Sequence, residues 1–156
     1  MKRRMIVFSI VVGCWTVGAL CMAADISVGT WKLNGAKSKY TPAEQARYET
    51  VQIEAVGNNM KVTLNGTDST GKKVQAEWTG KYDGKDYPVT GSPDIDTLAY
   101  TKINDHNYQS TTKKGGKTAG SAKIVYSADG KTRTVTASGT NAKGQKTSST
   151  AVYEKQ

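Results

Sequence analysis

The sequence predicts an all-β fold: an antiparallel up-and-down meander of about eight to ten strands closed into a barrel, with one short helix near residues 42–47. Three observations carry this. Short segments alternate apolar and polar residues with a period of two, the repeat of a strand half buried against a core. Clusters of Gly, Asn and Asp separate them at regular intervals. Apart from residues 35–47, the connections are short enough for hairpins, and consecutive hairpins make a meander. An open meander exposes two edges, and closure removes them. A two-sheet sandwich competes with the barrel but would usually need longer crossovers.

A leader precedes the domain. Lys2, Arg3 and Arg4 are followed by an apolar run from Met5 to Leu20, then Cys21, Met22, Ala23, Ala24 and the first acid, Asp25. A basic start, an apolar middle and small residues at the exit describe a secretory signal peptide over residues 1–23, cut after Ala23 or Ala24. The run is shorter than the roughly 20 residues that span a bilayer, so no transmembrane segment is expected after cleavage. Apolar sequence continues past Cys14, which argues against a lipid anchor there. Residues 24–156 then form one domain, exported to the periplasm or the extracellular medium.

Both cysteines leave with the leader, so the mature domain is expected to hold no disulfide, thiolate nucleophile or cysteine metal site. Three of the twenty-two basic residues leave too. Nineteen remain against thirteen acids, a balance of +6 that favours anionic surroundings. The lysines are scattered along the chain, which also serves solubility.

The strands follow in order. Residues 29–34 form the first, with Trp31 and Leu33 inward as barrel-closing residues. In the long connection, Thr41, Pro42 and Glu44 suit a helix start. Residues 48–56 place Val51, Ile53 and Ala55 on one side. Gly57, Asn58 and Asn59 turn the chain, and Met60, Val62 and Leu64 return. Residues 65–71 read as a polar loop, with Asn65-Gly66 as a turn. Residues 73–81 put Val74, Ala76 and Trp78 inward. Asp83-Gly84 signals a tight hairpin, and Pro88 limits residues 87–89 to an edge. Four more strands follow at 96–103, 107–113, 117–127 and 132–140, carrying Leu98 and Tyr100; Tyr108; Ala122, Ile124 and Tyr126; and Arg133, Val135 and Ala137. Residues 145–155 close with Thr147, Ser149, Ala151 and Tyr153 in phase. In the second half Ser, Thr, Ala and Gly interrupt the inner faces. Small inner residues leave space in a barrel that bulk would fill, so an internal cavity is expected beside the alternative of a flattened, packed barrel.

Gly29-Thr30-Trp31-Lys32-Leu33 resembles the opening strand of the calycin group, the lipocalins and intracellular fatty-acid-binding proteins. Lipocalins carry Gly-x-Trp there, and fatty-acid-binding proteins often carry Gly-Thr-Trp-Lys-Leu. Val152-Tyr153-Glu154-Lys155 is similar to the last strand of the fatty-acid-binding group. In style the chain most resembles the uncharacterised lipocalin-like proteins that bacteria export. The resemblance implies a barrel around a small apolar or amphipathic molecule. Two departures stand out. The arginine that precedes the last-strand tyrosine by two positions and helps hold a ligand carboxylate is Ala151 here, leaving Tyr153 without a charged partner. The late arginine that packs over the first-strand tryptophan in lipocalins has only Arg133 to match it, on an earlier strand. Arg133 is expected at the surface, with a place over Trp31 or at a ligand as alternatives.

No catalytic constellation emerges, so a non-enzymatic protein without cofactor or metal is expected. His106 is the single histidine and lies in a polar turn. Asp94 and Asp96 lack a repeating calcium loop around them. Glu54 and Glu77 fall on the outward phase, so no carboxylate pair faces a common pocket. Export and the thin spread of lysines argue against nucleic acid. The candidate ligand-binding residues are Trp78, Tyr100, Tyr108, Tyr126, Arg133 and Tyr153, with core packing as the alternative for the aromatics. The alternative function is a cell-envelope interaction protein with a filled barrel, whose basic outer face binds an anionic polymer or protein.

Overall fold

A computed structural model describes residues 25–43, 47–68, 70–141 and 144–156. The expected leader, residues 1–23, lies outside them. The strands are β1 (Gly29–Leu33), β2 (Lys39–Thr41), β3 (Arg47–Val56), β4 (Asn59–Thr67), β5 (Lys73–Gly80), β6 (Tyr87–Thr90), β7 (Thr97–Lys102), β8 (Asn107–Lys114), β9 (Lys117–Tyr126), β10 (Thr132–Thr140) and β11 (Lys146–Lys155). From β3 to β11 each strand pairs antiparallel with the next. β1 pairs with β3 on one side and β11 on the other, through Trp31↔Val51 and Leu33↔Tyr153. The result is a closed antiparallel barrel of ten strands, with β2 an added strand on β11.

The connection between β1 and β3 contains a short helix, a 3-10 turn at Gly35–Lys37 that Asn34 caps by accepting from the Lys37 amide. Of the expected helical position at 42–47, residues 44–46 lie outside the described residues. Pro42 and Ala43 form a bend and Arg47 begins β3. The connection also holds β2, which alternation could not flag because it is three residues long.

Two local readings are corrected. Asn65-Gly66 is not a turn: both residues belong to β4, facing Thr50 and Tyr48 across the ladder. β3 bulges between Tyr48 and Thr50, and the Arg47 carbonyl presses onto Gly66 where a β-carbon would stand. Asp83-Gly84 is not a simple hairpin either. Gly84 takes a positive φ of 77°, but the segment crosses to β7, where its amide donates to the Tyr100 carbonyl at 2.8 Å. Pro88 shortens the β6–β7 ladder to two residue pairs, and the Trp78 indole N–H donates to the Leu98 carbonyl at 2.8 Å beside it.

The core fills one end of the barrel. Trp31, Val51, Ile53, Val62, Ala76, Trp78, Leu98, Tyr108, Ile124 and Tyr126 are buried in one cluster. The turn 25–28 runs beneath them as a floor. Ser27 is fully buried, and its carbonyl accepts the Trp31 indole N–H at 2.8 Å. The apolar chain of Lys155 crosses Gly29, whose φ is 140°, and brings its ammonium 5.2 Å from the centre of the Trp31 ring. Thus Lys155, not Arg133, is the late basic residue over the first-strand tryptophan.

Candidate functional site

Opposite the floor, the barrel holds a cavity of about 600 Å³. Its wall belongs to β8–β11, with Pro93, Asp94 and Ile95 of the β6–β7 connection at its edge. The ladder explains its shape. Ser110, Ala122, Ala137 and Ser149 are successive cross-strand partners, and so are Thr112, Gly120, Gly139 and Thr147. All eight line the cavity. Side chains this small cannot meet across a ten-stranded barrel, so the space stays open where the first-half strands fill it with Trp and Val. The expected cavity is therefore present, and the closed barrel is able to enclose a ligand. The signal for its wall was the interruption of the inner faces by small residues.

The structure brings the candidate ligand-binding residues together, but as the layer beneath this cavity. None of the six is in its wall. The rings of four of them form a continuous chain with Trp31 and Tyr82: Trp31 to Tyr126 at 5.2 Å, Tyr126 to Tyr108 at 5.4 Å, Tyr108 to Tyr82 at 5.3 Å and Tyr82 to Tyr100 at 5.7 Å, with Trp78 edge-on to Tyr100 at 4.9 Å. Tyr100 is the cross-strand partner of Ser110 in the wall. Tyr153 donates to the Tyr48 carbonyl at 3.0 Å. Leu33 packs against the same core.

Arg133 corrects its expected surface position: it is only 4% exposed. Its strand phase turns it inward, because its register partners are the buried Tyr126 and Tyr153. The guanidinium carbon stands 5.1 Å from the centre of the Tyr153 ring, so the charge missing at Ala151 arrives from the neighbouring strand. Nε donates to the Tyr126 hydroxyl at 3.2 Å. Among the described residues no carboxylate pairs with this cation and no other acceptor bonds it. Burial raises the pKa of Tyr100, Tyr126 and Tyr153, so these phenols stay neutral around it at pH 7.

A second polar cluster closes the floor. Asp25 accepts from the Ser27 amide and hydroxyl at 3.0 and 2.6 Å, from the Tyr108 hydroxyl at 2.7 Å and from Lys102 Nζ at 2.8 Å. Burial pushes its carboxyl upward, but the Lys102 ammonium and these hydrogen bonds outweigh it and bring the pKa down to about 2. No sequence pattern marks this cluster, because only closure carries residue 25 to β7 and β8. A carboxylate held below its unfolded value stabilises the fold fully above that value, and the contribution disappears as pH falls through about 2. After discounting for partial exposure, Asp25→Asn is expected to cost about 1–2 kcal/mol at pH 7. It should also flatten the loss of stability between about pH 4 and pH 2. Urea unfolding across that range measures both effects.

The remaining candidates for chemistry do not converge. Among the described residues, Asp94 is the one carboxylate in the cavity wall. Asp96 accepts from Lys114 Nζ at 2.6 Å and the Gly115 amide at 2.7 Å, fastening the β6–β7 connection to the β8–β9 turn. Glu77 pairs with Lys61 at 3.3 Å on the outer face. The carbonyl of His106 accepts from the Tyr126 amide at 2.8 Å. Among the described residues no three His, Cys, Asp or Glu side chains gather as a metal site, and no helix is long and apolar enough to cross a membrane. The chain matches no protein-family model and no curated protein. Its fold is calycin-like: a closed, ten-stranded, antiparallel barrel.

Proposed function

We propose that this chain is a non-enzymatic binding protein, exported after loss of residues 1–23 or 1–24, that encloses a small apolar or amphipathic molecule in the upper half of its barrel. One observation carries the reading: a cavity of about 600 Å³ walled by Gly, Ala, Ser and Thr above a packed aromatic layer. This volume is within the range of small-molecule sites. The alanines and glycines give apolar contact, while the wall hydroxyls supply hydrogen bonds that fix orientation. Tyr100 of the aromatic layer is the cross-strand partner of Ser110 in that wall.

Native mass spectrometry of the protein purified from its own host should find a retained small molecule, and N-terminal sequencing should begin at Ala24 or Asp25. Ala137→Leu places a larger side chain in the wall. It should weaken binding at least tenfold in a dye-displacement titration while leaving the unfolding midpoint within a few degrees. A ligand-free protein that binds nothing in a panel of lipids and fluorophores would count against enclosure.

A second reading rests on the basic residues at the mouth. Lys73, Lys117 and Lys146 have no ion-pair partner among the described residues. They suit a docking surface for an anionic envelope polymer. Such binding should fall steeply with added salt, whereas binding inside the cavity should change little.

A further inference from the structure

The outer face of β8–β11 and β2 has a composition of its own. Ser110, Ala122, Ala137, Ser149 and Tyr40 are successive cross-strand partners on the inward phase. The residues between them therefore face out. One outward row runs Gln109, Lys123, Thr136, Thr150 and Lys39 across the five strands. The next row toward the mouth, from Thr111 on β8 to Thr41 on β2, carries a hydroxyl at all five positions. Four strand spacings, about 19 Å along the sheet, separate the two ends of each row. Every side chain in both rows can donate a hydrogen bond, and none is a carboxylate or an aromatic ring.

The charge on this face is of one sign. β2, β8, β9 and β10 contain no Asp or Glu. The single acid of β11, Glu154, lies at its lower end and pairs with Lys37 at 3.0 Å. Asp86, at the β8 side, pairs with Lys113. Lys39, Lys123 and Lys146 have no ion-pair partner among the described residues. A surface built for solubility alone mixes its signs. The opposite wall does so: β3 and β5 carry Glu49, Glu54 and Glu77, and Lys61 of β4 pairs with Glu77 at 3.3 Å.

We infer that the outer face of β8–β11 and β2 binds an acyclic phosphodiester polymer, a chain of phosphate diesters joined by polyol units. This rests on the second reading above, docking of an anionic polymer, and moves its site from the mouth to the side of the barrel. Lys, Ser, Thr and Gln are residue types that bind phosphate oxygens, and a face of donors without acceptor carboxylates repels no part of such a chain. Each diester offers charged oxygens that can take an ammonium and a neighbouring hydroxyl together. Rows repeat about every 6.8 Å along the strands, so a polymer lying across the face meets donors wherever its charges fall. Bases would need aromatic rings to stack on, and the outward phase of these strands holds none. The charged backbone itself is what this face can recognise.

The test is fluorescence anisotropy of labelled poly(glycerol phosphate) with the purified protein. Binding should fall steeply with added salt. Lys39→Gln and Lys123→Gln should each flatten the salt dependence, and together they should weaken binding by about tenfold or more at low salt. Thr136→Asp, which places a carboxylate in the middle of the row, should weaken it more than either lysine change alone. Lys81→Gln removes the same charge from an exposed site beyond the end of β5 and should change nothing. Unlabelled oligodeoxythymidylate and polygalacturonate should compete less well than the unlabelled polymer. Better competition by oligodeoxythymidylate would overturn the acyclic assignment, and better competition by polygalacturonate would overturn the phosphate assignment. Binding lost with Lys73→Gln but kept with Lys39→Gln and Lys123→Gln would overturn this face and leave docking at the mouth. Failure of all three polymers to bind would overturn polymer docking itself.

Discussion

Trp31→Ala should destabilise the domain by about 3–5 kcal/mol, enough to leave a marginally stable barrel largely unfolded at room temperature. Trp31 is fully buried at the point where β1 joins the two ends of the sheet, opposite Val51 on one side and Lys155 on the other. Truncation removes the ring that Tyr126 packs against at 5.2 Å and the surface beneath the Lys155 ammonium. It also leaves the Ser27 carbonyl without its donor, and Ser27 is buried. Trp31→Phe separates these losses. It keeps most of the ring but not the indole N–H, so it should cost less than half as much, chiefly through the unpaired carbonyl. Urea unfolding of both variants, followed by circular dichroism, gives the ordering. A Trp31→Ala protein with an unchanged midpoint would show that the closure does not depend on this residue.

The same residue shows why the fold was legible. Strand periodicity placed Trp31, Leu33, Val51, Ile53, Val62 and Trp78 on inner faces from the local order of residues alone, and in each strand the inward phase follows from a repeat of two. Hairpin turns then made the pairing order nearly inevitable. What local order cannot encode is which distant residues share a level of the barrel. Arg133 illustrates this. Its strand phase grouped it with Val135 and Ala137, yet it was expected at the surface, and only the β10–β11 register sets it against the Tyr153 ring. Asp25 is a stronger case, since its partners Lys102 and Tyr108 are far along the chain and no spacing rule connects them. The cavity was half legible. Small inner residues predicted space, whereas the aromatic residues expected around the ligand instead form the layer that seals the barrel below it. Aromatic rings were natural candidates for a ligand wall, but at this barrel size they pack on one another first.

Gly66→Ala is expected to cost about 2–3 kcal/mol, an effect that the sequence reading of Asn65-Gly66 as a turn would not anticipate. In a turn, glycine is chosen for its positive φ, and the penalty for alanine is conformational. Among the described glycines, those with positive φ are at other positions, so Gly66 serves space and not conformation. A β-carbon there would collide with the carbonyl oxygen of Arg47 and approach the Tyr48 α-carbon to 2.7 Å, and both are backbone atoms of the bulge in β3. Backbone cannot swing aside as a flexible side chain can. The new methyl must therefore open the β3–β4 ladder between Arg47↔Thr67 and Thr50↔Asn65. Gly35→Ala provides the control. A β-carbon at Gly35 meets nothing within 4 Å, and its φ is not positive. The same chemical change there should fall within about 0.5 kcal/mol of neutral. Amide hydrogen exchange should report faster opening in β4 for Gly66→Ala but not for Gly35→Ala. Equal midpoints for the two variants would mean that the bulge relaxes freely and that the close approach of Arg47 is not a constraint on this edge of the barrel.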